Sequence, residues 1–166
     1  MAINSRCLYL LVAFVAILAV GCSEGCFENR TSIPKAVFYA YNMPDRTISV
    51  DSISVYGVGQ KSGAMIVNCG SRVTLLSLPF RNDADTTQYV LRYDMKTLAQ
   101  YNICDTLTFV YTRYPHFISA DCGVTFNYSI DHFQYTTHML DSAALMLDEV
   151  TNIDEETLRL YYYVAQ

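Results

Sequence analysis

The 166-residue sequence predicts an all-β protein, an antiparallel β-sandwich of immunoglobulin-like or similar type with about eight strands and little helix. Three observations predict this fold class. Segments rich in strand-forming residues recur roughly every 8–15 residues, and polar turns containing Gly, Pro, Asn or Asp separate them. Apolar and polar side chains alternate along most segments, as is typical of antiparallel sheets with one face in the core and one in water.

The candidate strand segments cover the chain from residue 36 onward, with one helical turn predicted at residues 95–101. The segments are residues 36–41, 47–56, 64–67, 72–80, 86–93, 105–113, 117–120, 124–130, 133–139, 142–147 and 158–164.

The first segments are defined by composition and by the turns between them. Residues 36–41 combine Val, Phe and Tyr, and residues 47–56 alternate in polarity. Gly57 and Gly59 indicate a hairpin loop rather than a dinucleotide-binding loop, because the third glycine of that motif is out of place and a strand follows. Pro79 favours an edge or the end of a strand for its segment.

The middle segments alternate most clearly. Residues 105–113 place Leu107, Phe109 and Tyr111 on one face, and Pro115 is predicted to end this strand. The same alternation continues through the last segments, where a polar turn at residues 151–156 precedes the final strand. The tyrosines predicted to point into the core are Tyr89, Tyr93, Tyr111, Tyr128 and Tyr162.

A short phrase recurs at the starts of strands: an aspartate, a hydroxyl residue and a strand former. Its aspartates are Asp51, Asp85, Asp105 and Asp141. Because an aspartate can close a turn by hydrogen bonding to its own nearby backbone, the phrase predicts repeated entry into strands and not a binding repeat.

The N-terminal residues predict export. Arg6 precedes an uncharged apolar run at residues 7–20, which as a helix would span about 21 Å. This is shorter than the roughly 30 Å hydrocarbon core of a bilayer, so a processed signal sequence is predicted rather than a membrane span. Residues 19–22, Ala-Val-Gly-Cys, resemble the lipobox of bacterial lipoproteins, which implies cleavage after Gly21 and a lipid on Cys22.

These segments define the predicted domain organisation. Residues 1–21 form a lipoprotein signal peptide, residues 22–34 hold the lipidated cysteine and a tether, and residues 35–166 form a single β-sandwich domain. The formal charge of the chain is −5, and its Lys and Arg residues are scattered singly. Nucleic acid is therefore not expected as a partner, because phosphate binding requires a basic surface.

Four cysteines remain after the signal and the lipid site, and they suggest two disulfides in an exported protein. They are Cys26, Cys69, Cys104 and Cys122, which allow three connectivities. Their wide spacing does not match a zinc site, whose ligands usually come in close pairs. A hairpin of residues 105–113 and 117–122 would also bring Cys104 near Cys122.

The mature chain resembles a family of small Bacteroidetes-type lipoproteins that carry a single domain of unknown function. The motifs that carry the resemblance are residues 21–22 with Cys26, 51–57, 78–81, 121–123, 130–131, 135–138 and 151–154. The resemblance implies export and β architecture and brings no activity, cofactor or catalytic residue. It favours a Cys26–Cys122 bridge, which leaves Cys69–Cys104 as the second pair.

No residue pattern predicts a catalytic or metal site. A regular strand through residues 131–141 would place His132 and His138 on one face but six residues apart, about 20 Å, which is too far to share a metal. His116 lies in a predicted turn, and no Gly-x-Ser-x-Gly motif occurs. The acids at residues 154–156 predict a solvated turn without the spacing of a calcium loop.

The sequence therefore predicts a non-catalytic binding or structural module tethered to the outer membrane, with an envelope protein as its partner. Tyr161 and Tyr163 alternate with the inward residues and are candidates for an exposed aromatic surface. The alternatives are an envelope hydrolase that uses carboxylates and a small-ligand or carbohydrate-binding protein.

Overall fold

Two β-sheets face each other in the computed structural model, which describes Cys26 and residues 31–60 and 64–165. The strands are β1 Lys35–Ala40, β2 Met43–Thr47, β3 Ile53–Gly57, β4 Met65–Gly70, β5 Leu75–Ser77, β6 Thr86–Tyr93, β7 Cys104–Ser119, β8 Gly123–Tyr135, β9 Ser142–Leu145, β10 Glu149–Val150 and β11 Glu156–Tyr162. The predicted signal sequence and Cys22 lie outside the described residues.

The all-β sandwich is confirmed, but its described residues form eleven strands rather than about eight, and one pair departs from a purely antiparallel arrangement. The first sheet has the order β2-β1-β11-β9, with β5 also paired to β1, and the second has the order β10-β8-β7-β6-β3-β4. The first and last strands, β1 and β11, pair in parallel. A parallel pair needs a long crossover connection, and here nearly the whole domain lies between the two strands.

The inner faces of the two sheets form one core. Its fully buried side chains include Phe38 and Leu160 from the first sheet and Phe109 and Tyr111 from the second. The five tyrosines that were predicted to point inward are all buried, as expected from the alternation. Phe80 stacks on Tyr111 with ring centroids 4.3 Å apart, and its other ring contacts belong to the same aromatic cluster.

Several predicted strand boundaries were wrong, and two of them show how tertiary pairing overrides local signals. Residues 47–56 do not form one strand: Ser52 has a φ of 54°, and β3 begins only after it. Pro115 does not end its strand, which continues to Ser119. Beyond Val110, β7 pairs only with β8, so Pro115 occupies an edge position where its missing N–H is tolerated.

The β7–β8 hairpin defines the two ends of the molecule. A strand of 16 residues spans about 50 Å. We call the β7–β8 turn with residues 114–126 the hairpin end. We call the opposite region, with the 3₁₀ turn Ala99–Tyr101, the start of β7 and residues 136–141 and 162–165, the distal end.

Candidate functional site

A fully buried carboxylate organises the distal end. Asp105 is 0% exposed and accepts backbone hydrogen bonds from His138 at 2.6 Å, Met139 at 2.9 Å and Leu140 at 2.9 Å. The Thr136 hydroxyl donates a further bond at 2.9 Å. These donors belong to the segment that follows β8, so one side chain at the start of β7 holds this segment across the end of the core.

Two tyrosines extend the network between the sheets. The Tyr93 hydroxyl donates to Asp105 at 2.9 Å, and the hydroxyls of Tyr93 and Tyr162 lie 2.9 Å apart. Because Tyr93 uses its proton toward Asp105, Tyr162 donates to Tyr93. Burial and the neighbouring groups raise the pKa of both tyrosines, so both remain hydrogen-bond donors.

Opposing effects act on the ionisation of Asp105. Burial alone would raise the pKa of this carboxyl. The backbone N–H groups of His138, Leu140 and Met139, with the Thr136 hydroxyl, stabilise the charged form and hold the pKa below its usual value. Asp105 is therefore an ionised acceptor whose oxygens bind five donors, with His138 Nδ1 as a further neighbour at 3.1 Å, and its role in the structure is to anchor the segment after β8.

A cleft of about 350 Å³ opens at the distal end. The network tyrosines Tyr93 and Tyr162 line it, together with the side chains of Met95 and Met139. Tyr163 stands at the rim and is 65% exposed. The remaining lining comes from residues 48–51, 164 and 165. Methionine and tyrosine side chains make adaptable contacts with apolar groups, so the cleft suits an apolar side chain or peptide segment.

A second cleft, of about 390 Å³, lies against residues 56–60, Ala64, Met65 and Arg92. Residues 61–63, which connect two parts of its lining, are outside the described residues. The Arg92 guanidinium in this cleft pairs with Asp94 at 2.7 Å. The distal cleft is smaller, but it adjoins the buried network and its lining is described throughout, so we take it as the candidate site.

The hairpin end carries the disulfide that the resemblance favoured. Cys26 and Cys122 are bridged, with their Cα atoms 4.8 Å apart. Cys122 is buried in the turn between β7 and β8, where its N–H donates to the Ser119 hydroxyl at 3.1 Å. The bridge therefore fastens the N-terminal part of the chain to the tip of the long hairpin.

The second predicted bridge is absent, because Cys69 and Cys104 are free. The two residues lie in one row across four strands: Cys104 pairs with Arg92, Arg92 pairs with Ser54, and the Cys69 N–H donates to the Ser54 hydroxyl. Three strand spacings amount to about 14 Å. A disulfide requires Cα atoms closer than about 7 Å, so Cys69–Cys104 was wrong. The alternative Cys104–Cys122 pair fails because the residues flank opposite ends of β7.

Apolar side chains remain exposed at the hairpin end. Phe117 is 65% exposed, Val124 is 59% exposed and Phe126 is 40% exposed. Phe117 pairs with Val124 and Pro115 pairs with Phe126, so all four share one face of the hairpin. This face continues the inner face of the sheet beyond Tyr111 and Tyr128, which Phe80 covers. Val124 and Phe126 also line a cleft of about 290 Å³ beside residues 31–33.

The other residues singled out from the sequence have separate structural roles. His138 places Nδ1 3.1 Å from the Asp105 carboxylate, whereas the exposed His132 contacts Gln134. Tyr161 packs against Tyr39 with ring centroids 5.9 Å apart and is half-buried. Among the described residues, no group of three His, Cys, Asp or Glu side chains is arranged to hold a metal ion.

The recurring aspartate phrase has a different explanation from the one expected. Three of its aspartates accept hydrogen bonds from distant backbone: Asp51 from Arg72 at 2.6 Å, Asp141 from Tyr163 at 2.6 Å, and Asp105 as described above. The phrase therefore marks aspartates that hold distant loops by hydrogen bonds, rather than aspartates that close local turns. Sequence reasoning found Asp105 as a repeated pattern but missed its network, and it missed Met95 and Met139 of the cleft.

No helix in the described part of the chain is long and apolar enough to cross a membrane.

Comparison with known proteins identifies a family and gives no activity. No curated protein and no solved structure matches the chain. A family model described as a family of unknown function (DUF6452) matches residues 52–162, which run from just before β3 to the end of β11. The chain therefore belongs to this family of unknown function.

Proposed function

We propose that the protein is a non-catalytic module of the bacterial cell envelope, anchored to the outer membrane by lipid on Cys22, that binds an apolar segment of a partner protein in its distal cleft. One observation carries this proposal: the covalent attachment of the domain, through Cys26 and Cys122, lies at the end opposite the cleft. A domain that is anchored to the membrane at one end and has a cleft at the opposite end can expose this cleft to partners.

The anchor half of the proposal is supported by the lipobox and by the disulfide together. Cys22 ends the sequence Ala-Val-Gly-Cys, and Cys26 follows it by four residues. Disulfides persist in exported proteins, because the cytoplasm keeps thiols reduced. The Cys26–Cys122 bridge is therefore consistent with the periplasm or cell surface, where a lipidated Cys22 would reside.

The binding half of the proposal is supported by the chemistry of the distal cleft. Asp105 lies fully buried behind the cleft, and Asp51, the acid in its lining, accepts a hydrogen bond from the Arg72 N–H at 2.6 Å. The methionines, tyrosines and aliphatic residues of the lining supply the apolar surface of the cleft. Tyr163 at the rim can cover an inserted side chain, and tyrosine contributes strongly to protein interfaces. A membrane anchor raises the effective concentration of such a site near membrane partners.

Metabolic labelling with a fatty-acid probe tests the anchor. The wild-type chain expressed in a bacterial host is expected to incorporate the probe, and Cys22→Ser is expected to lose it. The Cys69→Ser variant is the matched control, because Cys69 is an exposed free thiol and should leave labelling unchanged. Equal labelling of Cys22→Ser and wild type would refute the lipid anchor.

In-cell photo-crosslinking tests the cleft. A photoreactive residue at position 163 should capture one reproducible envelope partner, whereas the same residue at position 146 should not, because Met146 is exposed near the opposite end of β11. The Met95→Glu variant should reduce this capture, and Tyr101→Glu, exposed at the same end but outside the cleft, should preserve it. Equal capture from both positions would refute the cleft as the contact.

A further inference from the structure

We propose that the apolar face of the hairpin end inserts into the lipid–water interface of the membrane that holds the anchor. The inserted side chains are Phe117, Val124 and Phe126, and the occupant of this face is a phospholipid surface. The inference rests on the lipid anchor of the proposed function, and it adds a second contact that would orient the domain on the membrane.

The length of the tether supports this placement. Three residues separate Cys22 from Cys26, and four fully extended Cα steps reach about 14 Å at most. The disulfide then places Cys122 of the β7–β8 turn with its Cα 4.8 Å from that of Cys26. With lipid on Cys22, the hairpin end is held within about 20 Å of the headgroups. A longer chain before the bridge would not impose this proximity.

The shape of the hairpin presents apolar groups at its tip. Phe117 and Val124 are direct cross-strand neighbours close to the turn between Ser119 and Gly123, and they are 65% and 59% exposed. Phe126, paired with Pro115, extends the same face toward the core. Contiguous exposed apolar surface on a soluble domain commonly marks a membrane or protein contact.

The charge of the hairpin end favours insertion by apolar contact over attraction to anionic lipid. Between residues 114 and 126, Asp121 is the only formally charged side chain at neutral pH, and it is exposed in the turn. Arg113, at the base, is directed to the backbone oxygen of Asn82 instead of the tip. Binding driven by apolar contact is expected to change little with salt, because screening acts on charges.

The distal end offers a control position that is expected to make no contact with lipid. Tyr101 is 66% exposed, similar to Phe117, but lies just before β7, a full strand length away. A domain held by its hairpin end keeps Tyr101 in water. The sequence contains no tryptophan, so a single introduced tryptophan at either position reports its surroundings alone.

The experiment uses the full lipidated chain in phosphatidylcholine vesicles whose acyl chains carry bromine. Phe117→Trp is compared with Tyr101→Trp, and Val124→Trp serves as a second reporter on the same face. We expect bromine to lower the tryptophan fluorescence at positions 117 and 124 roughly twofold or more. The quenching should be strongest for bromines near the headgroups, because interfacial side chains reach about 5–10 Å into this region. Emission at position 101 should not change, and raising the salt concentration should leave all three results unaltered.

Three results would overturn the inference. Tryptophans at 117 and 124 that are quenched by aqueous iodide and not by bromine would show that the face stays in water while the anchor stands. A blue-shifted emission at 117 that depends on protein concentration and is insensitive to bromine would assign the face to a second copy of the chain. Absence of lipid on Cys22, measured by mass on the same preparation, would refute the anchor of the proposed function and remove the basis of the inference with it.

Discussion

The same pair of strands forms both ends of the β7–β8 hairpin, but one end buries a charged group and the other end exposes apolar groups. At the distal end a carboxylate is buried, and five donors converge on it. At the hairpin end apolar rings are exposed, and a disulfide attaches the turn to the N-terminal part of the chain. The inner face of the hairpin is covered as far as Tyr111 and Tyr128, on which Phe80 packs, and it is exposed beyond them at Phe117 and Val124.

The two ends are therefore stabilised by different kinds of interaction. The distal end depends on hydrogen bonds that close a loop over the core, so its stability should depend on pH and on single polar groups. The hairpin end depends on a covalent link, so its stability should depend on redox conditions. Substitutions at each end can separate the two contributions.

The largest expected effect comes from removing the buried carboxylate. Asp105→Ala leaves the N–H groups of residues 138–140 and the Tyr93 hydroxyl without their acceptor. We expect the free energy of unfolding to fall by about 4 kcal/mol or more, since each buried donor left unpaired costs about 1–3 kcal/mol. Denaturant unfolding measures this change. The control Asp85→Ala removes an exposed member of the same repeated phrase and should change stability by less than about 0.5 kcal/mol.

Breaking the disulfide is expected to have the next largest effect. The double variant Cys26→Ser/Cys122→Ser opens a loop closed across 96 residues, and loss of a native disulfide costs about 2–5 kcal/mol. Chemical denaturation of wild type and variant, with and without reductant, checks this value. Reductant should destabilise the wild type and leave the variant unchanged. The double variant Cys69→Ser/Cys104→Ser should behave like wild type, and a large loss there would contradict the free-thiol assignment.

Tyr93→Phe tests how much of the distal network depends on one hydroxyl. The variant keeps the ring and removes the hydrogen bond to Asp105 and the acceptor of the Tyr162 proton. We expect a loss of about 1.5–3 kcal/mol, the range for bonds to charged groups. Thermal or denaturant unfolding measures it. Tyr163 lines the cleft and is 65% exposed, so Tyr163→Phe is the control and should be close to neutral.

The smallest effect, at moderate pH, is the acid dependence of the distal end. The pKa of Asp105 is lowered in the folded state, so its contribution is fully present above the unfolded-state pKa and is lost as pH falls through the lower folded-state pKa. Stability should therefore be flat near neutrality and decline below about pH 4. Comparing unfolding at several acidic pH values for wild type and Asp105→Asn tests this: the variant should show a shallower decline. An equal slope in both proteins would assign acid sensitivity to other carboxylates.

Local pattern was sufficient for the fold class and for many core residues. Alternation in β6 and in the first half of β7 placed Tyr89, Leu107 and Phe109 inward, and all are buried. This works because side chains of a strand point to opposite faces with a period of two, which is visible in any single segment. The same reasoning identified the exposed Tyr163, whereas Tyr161, which was also expected to be exposed, is half-buried against Tyr39.

Pairing between distant segments decided what the sequence did not reveal. The parallel β1–β11 pair, the continuation of β7 through Pro115 and the splitting of residues 47–56 at Ser52 all depend on which strands become neighbours. The separation of Cys69 from Cys104 has the same origin, since two strands come between β4 and β7.

The candidate site was determined almost entirely by tertiary structure. The Asp-Thr pair at residues 105–106 was visible as a repeated phrase, but its donors come from residues 136–140 and from Tyr93. Met95 and Met139 meet at the distal cleft only after β6, β8 and β11 have assembled. A sequence records the chemistry of each residue and its local period, which was enough to determine the β architecture. Convergence of distant residues on one buried group is a property of the folded chain, so the cleft was decided only by the tertiary structure.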